Sequence, residues 1–502
     1  MTVHLAVERD LALPLMAWVA HRQRGGSTVR LRCGAGVEVG DRRWVEGAWT
    51  APFNEWGFAN SWMAGSGGLA DGDDLVVVPP GHTLEGLWGA RTSEQVTVAN
   101  SLPLLLAATN LQLDDAYPHY LRRFLDVIYG LRRHDIQVPT TSDVDVHLMV
   151  VRALRIHRDL AWTFDPPWTP GPFRDFSHYR SSLVDAMQQL TANAAAGSRS
   201  HPFEPLATLS SGYDSPACAV IAGEAGCRRA VTISRGRDRA DRSVVDDSGA
   251  HLADALGMQV IERPRIVDLS VATAVVADEF WATGMSGEDI VMRVFEDVLP
   301  ASVLVTGFYG DTLWSPTRPA STTLRRIDVA GASMGEFRLR VGFAHAPLPF
   351  FGALEHPSIK AISTSDEMAP WRLGVPYDRP IPRRIVEQRG VARSLFGRQK
   401  VATTTIANRR TFDDEAVGAA IAEYARRRGH TWRTHMRHKG VDAGFRLARP
   451  IMRVARPIAR RAGWRIDVVR RQSLHGRDGT LAFLWAVDHL RQGRYGHISA
   501  SE

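Results

Sequence analysis

The chain has 502 residues, with 61 basic against 54 acidic side chains and a net charge of +7. With 44% hydrophobic residues, 43 Gly, 27 Pro and only 3 Cys, it is excluded from the collagen-like, disordered and disulfide-scaffold classes. Its length allows more than one domain and a large buried core.

The charge is uneven. Between Ile421 and Thr480, 16 Arg or Lys face 4 acidic residues, so this segment carries +12 and the remainder −5. Lysine occurs only at Lys360, Lys400 and Lys439. In an arginine-rich chain, each of these raises the question whether a compact point charge is required. Cys33, Cys218 and Cys227 are too few and too scattered for a disulfide framework or a zinc site. The first residues lack a basic stretch before their apolar run, and no run reaches the roughly 18 apolar residues of a spanning helix. A cytoplasmic protein is expected.

In chain order, residues 1–110 read as β-rich, with strands expected at Thr28–Cys33, Gly36–Val39, Leu75–Val78 and Gln95–Ala99. From Leu102 to about Arg158 the spacing turns helical. Trp162–Phe173 is rich in Pro and aromatics and reads as a packed linker. Tyr179–Ala195 is helical. From Pro205, strands (LATLS, Ala230–Ser234, Gln259–Glu262, SVLVTG) alternate with helices at Ser215–Glu224, Ser243–Leu256, Ala274–Trp281 and Asp289–Val298. Such alternation predicts an α/β fold with a doubly wound parallel sheet. Ligands of these sheets sit at the carboxyl ends of strands, here just after Leu209, Ile233 and Val305.

After the first of these strands comes Leu209-Ser210-Ser211-Gly212-Tyr213-Asp214-Ser215. Small residues let the backbone curl so that its amides face an anion, and the following helix adds its positive end. An ordinary strand–helix loop capped by Asp214 or Ser215 fits the same residues.

SSGYDS resembles the SGGxDS pyrophosphate loop of the N-type ATP pyrophosphatases, the PP-loop superfamily of asparagine synthetase, β-lactam synthetase and lasso-peptide cyclases. Three further segments match in order over roughly 175–405. AVTISRGRDRADRSVVDDSGAHLADALGMQV is similar to the adenine-binding strand with its acidic loop. VLVTGFYGDTLW (303–314) is similar to the SGxGxDE segment, and LFGRQK (395–400) to the late basic motif. The resemblance implies an adenine nucleotide alpha-hydrolase-like core at 201–410. Around it would lie a degenerate, β-rich glutaminase-like domain (1–125), a helical connection (126–200) and a basic helical extension (411–502).

The roles it implies are as follows. Leu209, Ser210, Ser211, Gly212, Tyr213, Asp214 and Ser215 would bind the ATP phosphates. Ile233, Ser234 and Gly307 would line the adenosine pocket. Asp214 and Asp311 would hold Mg2+, which favours carboxylate and phosphate oxygens. Lys400 and Tyr309 would be catalytic, Lys400 by stabilising the charge of the adenylate. Helix capping by Asp311, a solvated Lys400 and simple packing of Tyr309 are the competing readings. The implied reaction adenylates a carboxylate of a small molecule, peptide or saccharide, and an amine then displaces AMP.

The chain departs from the family at several positions. Thr2 stands where the amidase cysteine would be, so ammonia from glutamine is not expected. Phe308 replaces a glutamate, Thr312 ends the acidic pair, and Ser211 replaces a glycine. In FRLRVGFAHAPLPFFGALEHPSI (337–359), His345 and His356 stand where the family has a carboxylate; His345 reads as a base, a substrate contact or a packed side chain. The basic stretch 445–471, interrupted by Pro450 and Pro457, suits a solvated face, an anionic membrane surface or nucleic acid. An RNA-modifying PP-loop enzyme and a non-catalytic nucleotide-binding scaffold remain alternatives.

Overall fold

The computed structural model describes residues 3–131, 133–238, 244–265, 274–285, 287–375, 377–397, 401–402, 415–429 and 477–499. It is a mixed α/β protein with antiparallel and parallel sheets.

The first layers are built from strands β1 (His4–Arg9), β2 (Trp18–Gln23), β3 (Thr28–Cys33), β4 (Glu38–Gly40), β5 (Arg43–Trp49), β6 (Met63–Asp71), β7 (Asp74–Val78), β8 (Leu87–Arg91), β9 (Gln95–Ala99), β10 (Asp135–Val138), β11 (Val146–Met149), β12 (Leu154–Ile156) and β13 (Trp162–Phe164). One sheet runs β1-β3-β2-β9-β8-β11-β10, the other β13-β12-β7-β6-β5-β4. Alternation sets which face is buried: in β3, Val29, Leu31 and Cys33 point inward while Thr28 and Arg30 are exposed. These residues share a core with Trp18, Trp44, Leu75, Val77, Val96 and Val98.

Helices α1 (Leu102–Thr109) and α2 (Tyr120–Ile128) begin the stretch expected to be helical. The stretch does not continue so: β10 to β13 follow and complete the two sheets. The layer therefore extends to Phe164, beyond the expected limit at 125. The reason is local. Ile136 and Val138 alternate with polar neighbours in a four-residue strand, a signal too short to override the helical spacing before it.

Helix α3 (Phe176–Ala194) starts where the Asp175 carboxylate accepts the His178 amide at 2.7 Å. Then comes a five-stranded sheet of β14 (Glu204–Leu209), β15 (Arg229–Ile233), β18 (Gln259–Arg263), β19 (Ser302–Thr306) and β20 (Ala344–Pro347). All its pairings are parallel, in the order β18-β15-β14-β19-β20. The chain winds outward from β14 in one direction, then returns to its other side, so the winding reverses between β14 and β19. Helix α4 (Asp214–Glu224) follows β14, and α5 (Ala250–Leu256) precedes β18.

The helix expected over Ser243–Leu256 is shorter. Residues Arg235–Asp238 (β16) and Val244–Asp246 (β17) pair antiparallel, and Val401–Ala402 (β21) joins β16 on its other side. The β-branched pair Val244-Val245 favours strand over helix. Residues Asp289–Val298 are mostly a 3-10 helix, Glu288–Phe295. Helix α6 (Ala274–Trp281) lies as expected. Among the described residues, no helix is long and apolar enough to cross a membrane.

All three cysteines are buried and free, and burial raises each thiol above its ordinary value. Thiolate is the reactive form. A thiol reagent should therefore leave the native chain unlabelled and modify all three sites once denaturant is added. Rapid native labelling, read by mass spectrometry, would contradict this packing.

Candidate functional site

At the carboxyl end of β14, residues Ser210–Tyr213 turn the chain into α4. Ser210 and Ser215 share a hydroxyl hydrogen bond at 2.7 Å, and the Gly212 amide donates to Ser210 Oγ at 3.3 Å. Neither Asp214 nor Ser215 caps the helix: α4 starts at Asp214, and no side chain caps its N-terminus. That leaves the positive helix end facing the turn.

The turn is held from three directions. From the stretch before α5, Asp247 accepts the Ser211 hydroxyl on Oδ1 at 2.6 Å and the Ser211 amide on its carbonyl at 3.2 Å. From the late segment, the Gly397 amide donates to the Ser211 carbonyl at 2.7 Å. Gly397 has φ +66°, and a Cβ there would lie 2.2 Å from the Tyr213 ring, so only glycine fits. Beneath the turn, buried Tyr213 contacts Tyr377 and Phe396 and takes a hydrogen bond from Arg383. Arg383 is fully buried, and Asp378 balances it at 2.8 Å.

The segment after β19 closes on the start of α4. A Cβ on Gly307 would sit 2.6 Å from the Asp214 carbonyl carbon and the Ser215 nitrogen; one on Gly310 would sit 2.8 Å from Asp214 Cγ. The Asp214 side chain thus packs against two glycines of a strand end far away in sequence. Asp311 follows in helix α7 (Gly310–Leu313), and its carbonyl accepts from Arg379 Nη2 at 2.9 Å. Burial, and then the Asp214 and Asp311 carboxylates, push the Tyr377 hydroxyl above its ordinary range, with Arg379 opposing. Both carboxylates therefore act on one tyrosine at this edge.

Ile233 and Ser234 end the neighbouring strand β15, where the Ser234 amide pairs with the Arg263 carbonyl at 3.1 Å. Tyr309 lies differently. It has φ +78°, stacks on Phe350 at 4.6 Å, and encloses a hydroxyl with no hydrogen-bond partner among the described residues. Burial raises its pKa, so it is a protonated, packed side chain. Phe308 meets His345 edge to face at 5.8 Å. Lys400, Thr2 and the basic stretch 445–471 lie outside the described residues. The chain on either side of Lys400 is placed: Gly397 on the turn, and Val401–Ala402 on β16.

Thus the structure brings together Leu209 to Ser215, Gly307 and Asp311. Sequence reasoning missed Asp247, Tyr377, Arg379 and Arg383. The run YDRPIPRR offered a signal in its clustered arginines around an aromatic, but only the fold reveals that it lies under the turn.

Asp247 also makes the turn sensitive to pH. Burial raises its carboxyl to about 6, although the Ser211 hydrogen bonds oppose the rise. The folded form therefore holds this proton where the unfolded chain, with a carboxyl near 3.9, releases it. Its contribution is full below about pH 4 and is lost as pH rises through about 6. Asp247→Asn should remove that downward component from the stability profile measured by denaturant titration. An unchanged profile would contradict it.

No protein-family model matches the chain, and no curated protein matches it.

Proposed function

We propose that this is an ATP-dependent ligase, forming AMP and pyrophosphate, with a doubly wound, adenine nucleotide alpha-hydrolase-like core. The observation that carries the reading is the packing of Asp214, at the start of an uncapped α4, against Gly307 and Gly310. It lies beside the reversal of strand order between β14 and β19, where ligands of such sheets bind.

The residues fit a nucleotide. The Ser210–Ser215 turn offers hydroxyls and amides to phosphates, and Ile233, Ser234 and Gly307 offer backbone to the adenosine. Asp214 and Asp311 suit Mg2+, which would neutralise phosphate charge when bound. Arg379, 5% exposed and bonded to the Asp311 carbonyl, adds a fixed cation. In the reaction, a substrate carboxylate oxygen attacks the α-phosphorus and pyrophosphate leaves. An amine nitrogen then attacks the acyl carbon and AMP leaves. Lys400 would stabilise the charge in both steps; buried Tyr309 serves as packing unless the site opens. The carboxylate belongs to a small molecule, peptide or saccharide. The basic extension would draw the enzyme to an anionic membrane surface.

The test is pyrophosphate release from ATP over a panel of carboxylates and amines, with AMP measured in parallel. Equal release of both with an amide product supports the ligase. Release that requires RNA favours an RNA-modifying enzyme. Tight ATP binding without turnover favours the nucleotide-binding scaffold.

A further inference from the structure

We propose a second, separate site: His82, Glu85 and His345 form a buried site for a zinc-class divalent metal ion, between the first β-layers and the parallel sheet. One ligand atom from each residue lies within 4.8 Å of the others. His82 and Glu85 stand on the connection between β7 and β8, and His345 is on β20.

The site is enclosed, and its inward atoms are unused. His82 and His345 are 0% and 1% exposed, and the Glu85 side chain is 7% exposed. His82 Nε2, Glu85 Oε1 and His345 Nδ1 are all buried without a hydrogen-bond partner. Buried polar atoms are nearly always satisfied, so three orphans facing one another point to a ligand. His345 Nδ1 and Glu85 Oε1 lie 3.6 Å apart. That is too long for a good hydrogen bond, but close to the edge of a tetrahedron with about 2.1 Å metal bonds.

Outer contacts hold the donors in place. Thr306 Oγ1 meets His345 Nε2 at 3.0 Å and Arg338 Nε donates to Glu85 Oε2 at 2.6 Å, while the Leu84 amide, 3.2 Å from His82 Nδ1, has to turn away on loading so that Nδ1 carries the ring proton and Nε2 the ion. Such partners orient metal ligands. Charge points the same way. Arg338 lies in helix α8 (Gly335–Val341) and also binds Glu46, at 2.7 Å. One guanidinium thus faces two buried carboxylates. Two imidazoles and one carboxylate select a zinc-type ion over magnesium. The inference therefore stands apart from the nucleotide reading.

The full chain, stripped with chelator and dialysed, should be titrated with Co2+ and with Zn2+. We expect about one tightly held ion per chain, visible d–d absorption from Co2+ in a low-coordinate site, and a higher melting temperature on loading. His82→Gln and His345→Gln should each weaken binding at least about tenfold, whereas His4→Gln on the surface should not. If a variant fails to fold, X-ray absorption of the loaded wild-type chain decides, since two imidazoles must appear in its shell. No retained ion, binding unchanged in both folded variants, or a shell without two imidazoles would overturn the proposal.

Discussion

Asp214→Asn should reduce pyrophosphate release by about 10³-fold or more while leaving the fold intact. The substitution keeps shape and volume, so the packing against Gly307 and Gly310 is retained. It removes the charge that a metal–phosphate complex needs, and losing one well-placed electrostatic group costs about 10² to 10³ in turnover. Loss of a metal ligand adds to that. The effect should fall on kcat rather than on the melting temperature. Asp311→Asn should act in the same direction. If Asp214→Asn retains more than about a tenth of wild-type turnover, the carboxylate has no role in the chemistry, and the ligase reading fails at its central residue.

Arg338→Met should destabilise the fold by about 3–5 kcal/mol. The Arg338 side chain is 3% exposed and bridges Glu46, on β5, to Glu85. Glu46 in turn accepts the Ser66 hydroxyl at 2.8 Å, and Ser66 accepts the Trp18 indole N–H at 3.0 Å. Removing the guanidinium leaves Glu46 buried without the charge that balances it, and hydration cannot reach its side chain, which is 0% exposed. The change should lower the urea midpoint with little change in slope. Adding Glu46→Gln to Arg338→Met should recover part of the loss. If the double variant is no more stable than the single one, the penalty comes from packing rather than charge.

How much of this was legible depends on the distance over which each signal acts. Thr28–Cys33 and Gln95–Ala99 form strands with the expected limits, because alternation over five or six residues is decisive. The turn from Ser210 to Ser215 could be read because its parts are adjacent in sequence. The strands from Asp135 to Phe164 were obscured by shortness, each having only three or four residues. The β16–β17 hairpin was concealed within an apparent helix. Contacts across the fold left no local trace: Asp247 on Ser211, Arg383 on Tyr213, and His345 against Glu85. For Tyr309 the sequence leaves a chemical role and simple packing open; its backbone and its stacking on Phe350 bury the hydroxyl, which favours packing.

The hydrogen bond from Gly397 to the Ser211 carbonyl has a consequence for how the protein is made. The two residues stand 186 positions apart in sequence. A ribosome that has finished all five parallel strands has still not synthesised the clasp on the turn. The nascent sheet can form early, but the turn at its edge is completed only after Phe396 and Gly397 emerge and cover Tyr213. A nested set of truncations should therefore separate the two events, with secondary structure gained before residue 390 and nucleotide binding only after residue 397. Closure of the turn is thus a late event in translation.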